Sequence, residues 1–411
     1  LWRIAPHIIH PMRFVLPYVE GLRPRWLLRL GLFLYDHIGG RKRLPATRTV
    51  DLRRHQAGGP LKGGFSTGFE YSDGWVDDAR LVVLNAKDAA ERGAAVHTRT
   101  RVTSARREDG LWRIEAGNEI FHARALVNAA GPRVLEVERI AGDAPEYAMR
   151  LVRGSHIVVP RLFDHDYAYF FQLPDGRIFF AIPYERHYTL IGTTDVDHDK
   201  SLDKVEASAE EIAYLCDGAS RYFSKTVTPA DVVWTYSGVR PLVSDNSGKP
   251  EEATRGYRLE LSPTGEGAPL LSVYGGKITT YRHLAEEAVD LMAARLPALS
   301  GRAWTRKEAL PGGDFAIDGL PALIRSLSQE FPFLSPDDAD RIARAYGTRA
   351  ERWLSQPRGR EFGAGLCQAE VDYLRAEEWA VSAEDVLWRR TKLGLRLSAE
   401  QQAALAAYLG S

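Results

Sequence analysis

The stretch PLLSVYGGKITTYRHLAEEAVDLMAARL, beginning at Pro269, constrains the fold more than any other part of the chain. Residues 270–274 read as an apolar strand, Gly275 and Gly276 as a turn, and the remainder as a long helix. Leu284, Ala288, Leu291 and Met292 recur at helical spacing and supply that helix's buried stripe. Two glycines let a backbone approach a ligand closely, and the free N–H groups and dipole of a helix start favour negative charge there. A glycine pair before a helix is also an ordinary structural turn, so alone it is a weak signal.

The rest of the chain supports a mixed α/β reading. DDARLVVLNAKDAAER, from Asp77, has helical periodicity and stops at Gly93. Residues 96–132 read as strands and turns ending in a buried strand at 125–128 closed by a glycine. GSHIVVP, YAYFFQL, RIFFAIP and YTLIGTTD, within residues 151–196, form an expected antiparallel meander. A helix over 207–224 follows, then strands at VVWTYSGVRPL and YRLELSP. Such a strand-rich middle can carry a substrate site on one face of a sheet. Beyond about residue 305 the composition turns helical and charged.

Composition sets limits on function. The 411 residues, 45% of them hydrophobic, suffice for two or three domains. Basic and acidic side chains balance at 54 each, so no global charge argues for nucleic acid. Cys216 and Cys367 lie far apart without ligand spacing, which excludes a disulfide framework and a cysteine metal centre and fits buried thiols in a reducing, cytoplasmic setting. No metal is expected. Residues 26–35 are apolar and bracketed by Arg25, Arg29, Arg41, Lys42 and Arg43; the block is about half of the ~20 residues that cross a bilayer. A helix there could dock on an anionic membrane surface, or pack internally on its own core. Starting at Leu1, without Met or the order of a secretory signal, the chain reads as a fragment.

GGKITTYRHLA, from Gly275, resembles a signature segment of the FAD-dependent, aerobic, membrane-associated glycerol-3-phosphate dehydrogenases. GFEYSDGWVDDARL, ALVNAAGP, RGSHIVVPR, IGTTDVD, VWTYSGVRPL and WRRTKLGL are similar to further family segments and occur in family order. The resemblance runs from about residue 1 to 408. It implies a doubly wound FAD-binding domain interleaved with an antiparallel-sheet substrate domain, plus a helical C-terminal domain. The expected division is 1–72 (substrate domain and membrane-docking segment), 73–150 and 263–303 (FAD-binding), 151–262 (antiparallel substrate domain) and 304–411 (helical). The family's first βαβ unit, with the G-x-G-x-x-G turn for the pyrophosphate, is expected before Leu1 within roughly 70 to 80 missing residues.

The implied activity is oxidation of sn-glycerol 3-phosphate to dihydroxyacetone phosphate, with electrons passing from FAD to membrane quinone at the inner face of the cytoplasmic membrane. A homodimer is compatible with it. An oxidase that returns electrons to oxygen shares the same motifs, and a non-catalytic remnant that holds no FAD is the rival from outside enzymes.

Oxidising a secondary alcohol requires a base for the hydroxyl proton and a cation for the developing alkoxide. By resemblance, His156 is the base, and Arg240 lies near flavin and substrate. Arg255 and Lys277 bind the phosphate, with Lys277 also at the flavin edge. Gly275, Gly276, Thr279 and Thr280 face the flavin ring. Asn128, Ala129 and Gly131 end a strand near the FAD adenosine or ribose, and Val102 lays backbone against adenine. NAAGPR stands here where many relatives have NATGPW, which leaves the strand but alters its finer contacts. Thr194 and Asp195 read as pocket-wall residues without an assigned role.

Overall fold

The computed structural model describes residues 1–19, 24–37, 43–244, 256–263, 265 and 267–410. Arg41, Lys42 and the expected phosphate ligand Arg255 fall outside the described residues.

Along the chain run β1 (Ile9–Pro17), α1 (Arg25–His37), β2 (Arg48–Asp51), β3 (Thr67–Val76) and α2 (Asp78–Glu91). Next come β4 (Val102–Glu108), β5 (Leu111–Ala116), β6 (Glu119–Ala123), β7 (Leu126–Asn128) and α3 (Val134–Ala141). The middle holds β8 (Met149–Pro160), β9 (Ala168–Gln172), β10 (Ile178–Tyr184), β11 (Tyr188–Gly192), β12 (Val196–Asp197) and α4 (Ala209–Tyr222). β13 (Trp234–Val243), β14 (Tyr257–Leu261), β15 (Leu270–Gly275) and α5 (Tyr281–Ala293) complete it. The last third carries α6 (Leu320–Glu330), α7 (Pro336–Tyr346), α8 (Glu351–Leu354), β16 (Glu361–Gly363), β17 (Leu366–Cys367), α9 (Gln368–Glu378) and α10 (Ala399–Leu409).

Two compact units result, one of Met12–Asp73 with Arg99–Arg302, the other of Leu1–Pro11, Gly74–Thr98 and Ala303–Ser411. The larger is built on a sheet ordered β12-β8-β11-β10-β9-β1-β3-β2, with β13 also paired to β8. The expected meander holds for β9, β10 and β11 only. β8 lies beside β11, not β9, and β1 pairs with β9 in parallel. Period-two alternation cannot reveal this, because it fixes which side chains share a face and says nothing about which strands are neighbours. Ser155, Ile157 and Val159 of β8 point to the face covered by α4, where Leu215, Cys216, Ala219 and Tyr222 pack against Phe171, Phe179 and Ile191. Gly154 and His156 therefore point to the opposite face.

A second sheet of the same unit runs β14-β15-β7, and β15 and β7 are parallel, with Leu270 opposite Leu126 and Ser272 opposite Asn128. Both strands feed a turn and then a helix, so Gly131 and the Gly275–Gly276 pair gather at the same end of the sheet. In open α/β sheets, ligands lie at the carboxyl ends of parallel strands. The sheet β4-β5-β6 is tied to this one by the indole of Trp112, fully buried, which donates to the Pro269 carbonyl at 2.9 Å.

The part of the smaller unit from Ala303 onward is helical apart from the β16–β17 pair. Its core gathers Ile342, Tyr346, Trp353, Leu366, Val371 and Leu374. α2 belongs to this unit by contact, although the sequence places it in the flavin-binding part. The reason is electrostatic: Asp77 caps α2 through the Arg80 amide and pairs with Lys392, while Arg80 forms a buried ion pair with Glu378 of α9. GWVDDARL and WRRTKLGL, which carry no obvious chemistry, thus bind one another.

Candidate active site

His156 and Arg240 meet through strand register. β13 runs antiparallel to β8 with Tyr236 opposite His156, Gly238 opposite Gly154 and Arg240 opposite Val152, so all six share one face. The His156 ring stacks on Tyr236 at 4.9 Å with 7° between the planes. It also lies flat over Gly192, where any Cβ would overlap the imidazole. Arg240 lies over Gly154 in the same way, since a Cβ there would sit 2.5 Å from the guanidinium. Two glycines thus let the His156 and Arg240 side chains lie close to the sheet.

Asp195 and Thr193 fix the guanidinium. Arg240 pairs with Asp195 and donates to the Thr193 hydroxyl at 2.9 Å. A forked donor spanning two acceptors has little freedom to turn. Burial first, and the Arg240 charge second, push the His156 pKa down to about 4. The imidazole is thereby held neutral at pH 7, and its Nδ1 is buried without a hydrogen-bond partner among the described residues. Uncharged base beside fixed cation is the arrangement that alcohol oxidation needs.

The Gly275–Gly276 turn lies against the same strand. A Cβ on Gly275 would stand 3.4 Å from the Pro241 carbonyl, one residue past Arg240. Both glycines have positive φ, +70° and +110°, which other residues rarely adopt. Lys277 follows, exposed and without an ion-pair partner among the described residues, and Thr280 donates to its carbonyl at 3.1 Å. Thr279 is exposed in the same first turn, from which α5 continues.

Asn128 is buried, but its side chain is occupied: it donates to the Val134 carbonyl at 2.9 Å and accepts from the Ala130 amide. Only backbone at exposed Ala129 and at Gly131, with φ +56°, is left open to a ligand. Val102 opens β4 and packs in the core that also contains Leu126 and Leu270. These residues fit a flavin dinucleotide: glycine backbone at two strand ends, a helix start and a lysine with no ion-pair partner among the described residues. Sequence reasoning missed Tyr236, Gly154, Gly192 and Thr193; the repeated glycines in RGSH, IGTTD and YSG were the available signal.

Comparisons with known proteins place the chain among flavin-dependent oxidoreductases. Residues 1–282 match the FAD dependent oxidoreductase family, and residues 303–409 match the C-terminal domain of alpha-glycerophosphate oxidase. A glycerol-3-phosphate dehydrogenase of Pseudomonas aeruginosa is 48% identical, over 99% of this chain and 81% of its own length. A D-erythritol 1-phosphate dehydrogenase of Brucella abortus is 46% identical, over 98% and 82%. The fold of a Bacillus halodurans glycerol-3-phosphate dehydrogenase solved with FAD superposes with a TM-score of 0.75 at 24% identity, over 100% of this chain and 82% of that one.

Proposed function

The chain belongs to the FAD-dependent glycerol-3-phosphate dehydrogenases, and from that premise we propose that His156, Arg240, Lys277 and Arg255 carry the oxidation of sn-glycerol 3-phosphate to dihydroxyacetone phosphate. FAD is the cofactor, and when bound it takes up the hydride equivalent from the substrate's carbinol carbon. His156 accepts the hydroxyl proton at Nε2, Arg240 holds the developing alkoxide charge, and Lys277 with Arg255 holds the phosphate. Gly275, Gly276, Thr279 and Thr280 would hold the flavin ring, and Val102, Asn128, Ala129 and Gly131 its adenosine. The observation that carries the reading is the neutral imidazole next to a clamped guanidinium on one sheet face. The five-segment domain division belongs to the same proposal.

The first test is an absorbance spectrum of the chain with FAD, followed by anaerobic glycerol 3-phosphate. A bound flavin band near 450 nm, estimated from oxidised flavins generally, should appear and bleach with substrate. Bleaching by D-erythritol 1-phosphate but not glycerol 3-phosphate would move the substrate assignment to the other relative.

We further propose that α1 docks the protein on the inner face of the cytoplasmic membrane, where quinone accepts the electrons, whether the protein is a monomer or a homodimer. α1 has no buried residue; Trp26 is 68% and Phe33 53% exposed, with Leu27, Leu30 and Leu34 exposed beside them. The helix is fastened by its other side, through Tyr35 to the Ser72 carbonyl and Asp36 to Thr47. No helix among the described residues is long and apolar enough to cross a membrane. A Leu30→Glu, Phe33→Glu variant should lose roughly tenfold or more in binding to anionic vesicles while its anaerobic bleaching is unchanged. Unaltered vesicle binding would end the docking proposal, and rapid peroxide formation in air would favour an oxidase.

A further inference from the structure

Beneath the catalytic face lies a carboxylate with no place in the mechanism so far. Glu211, on α4, is 5% exposed. One oxygen accepts from the Thr194 hydroxyl at 2.7 Å and the Ser155 hydroxyl at 2.9 Å; the other accepts from Arg153 at 2.7 Å and the Ser208 amide at 3.0 Å. A capping box needs only the last of these contacts. The others reach into the sheet. Ser155 adjoins His156 and bonds the hydroxyl of Ser237, which adjoins the stacking Tyr236. Thr194 adjoins Asp195, and its hydroxyl also accepts from the Ser155 amide at 2.9 Å. Burial raises the Glu211 pKa, but the donors from Ser208, Thr194, Ser155 and Arg153 outweigh it and hold the group below its ordinary value, as a carboxylate.

We propose that Glu211 is a positioning residue for catalysis: one buried carboxylate fixes Ser155 beside His156 and Thr194 beside the Asp195 that clamps Arg240. The proposal rests on the assignment of His156 and Arg240 above. Base, cation and clamp come from two strands and a connecting loop; Glu211 ties β8 and the loop to one helix directly and reaches β13 through Ser155 and Ser237. Their relative placement therefore depends on a side chain that touches neither substrate nor flavin.

The test is anaerobic stopped-flow reduction of the FAD-loaded chain by saturating glycerol 3-phosphate, with flavin content and thermal midpoint as controls. Glu211→Ala should slow reduction by about 30- to 100-fold, the scale of a small misplacement of reacting groups. Glu211→Gln keeps one acceptor, for Thr194 and Ser155, but sets an amide NH2 against the Arg153 guanidinium and the Ser208 N–H, so it should recover only part of the rate lost in Glu211→Ala, to within about tenfold of wild type. Half-saturating substrate should change by less than about threefold in both. The double variant Glu211→Ala, Asp195→Asn should be no more than about threefold slower than the slower single variant, because both act on Arg240. Additive losses, or a Glu211→Ala rate equal to wild type, overturn the proposal. Should Glu211→Ala not fold, Thr194→Val takes its place in the same cycle: a slowed rate without additivity supports the proposal, and additivity or a wild-type rate overturns it. A wild-type chain that holds FAD yet is not reduced refutes the functional assignment itself, and this proposal with it, before any variant is made.

Discussion

Replacing Arg240 by alanine is expected to slow flavin reduction by glycerol 3-phosphate by about 10²–10³-fold at saturating substrate, the cost of removing one preorganised charge stabiliser. Two effects act in the same direction. On the proposed roles the guanidinium that would meet the developing alkoxide disappears, and the Asp195 carboxylate it paired with is left without it. Arg240→Lys keeps a charge but cannot span Asp195 and Thr193 with one planar fork, so it should recover only part of the loss. The pH profile supplies a second readout. With its pKa pushed down to about 4, wild-type His156 is unprotonated through most of the acid range, so the acid limb belonging to this group should lie near pH 4, not near the ordinary imidazole value of about 6.5. Arg240 is one of the two causes of that depression, and without it the limb should move to higher pH. His156→Gln should remove the limb and most of the rate. An Arg240→Ala enzyme within threefold of wild type, with an unmoved acid limb, would sink the assigned roles.

Much of this site is legible in the sequence because its strongest signals are local. The Gly275–Gly276 turn between an apolar strand and an amphipathic helix is a pattern of adjacent residues, and β15 and α5 occupy that stretch. His156 and Arg240 stand out through their short motifs. What joins them is not local. Asp195 and Glu211 lie tens of residues from the groups they hold, and no periodicity reports a pairing across that distance. The same limit explains β1: Pro11 breaks the segment's local pattern, and the strand exists because Phe14 and Val15 find partners at Ala168 and Tyr169. Residues 26–35 show the opposite case, since eight apolar residues in ten exceed one amphipathic face and favoured internal packing over a surface role. Only the three-dimensional surroundings of α1 separate the two, and they leave Trp26, Leu27, Leu30, Phe33 and Leu34 exposed while Leu28 and Leu32 are half-buried.

Glu378→Ala should destabilise the helical unit by about 3–5 kcal/mol, the usual cost of breaking a buried ion pair by removing one partner. Arg80 is 1% exposed and Glu378 is equally enclosed, with Arg390 3.7 Å from the same carboxylate. Arg80 also lies over the Tyr346 ring, 5.1 Å from its centre, in a core of Ile342, Val371 and Leu374 where water cannot replace a lost partner. Removing the Glu378 carboxylate therefore strands the Arg80 guanidinium, which cannot shed its proton to escape the cost, while Arg390 keeps its bond to the backbone carbonyl of residue 378. The loss should appear as a fall on the order of 10 °C in the thermal midpoint of this unit. Acid should weaken the same unit. Burial above all pushes His7 to about 3 and His10 to about 4, with Arg80, Asp77 and Asp314 around the first and Arg344 and Asp340 around the second. Both folded pKa values lie below the unfolded value of about 6.5, so the unfolded chain binds more protons in between, and stability falls as pH drops from about 6.5 towards 4. The paired Lys392 and Asp77 are a control on the first argument: Asp77 is a quarter exposed, and Lys392→Met should cost roughly 1 kcal/mol. If Glu378→Ala unfolds within 1 kcal/mol of wild type while Lys392→Met does more damage, the Arg80 pair is not what binds α2 to α9.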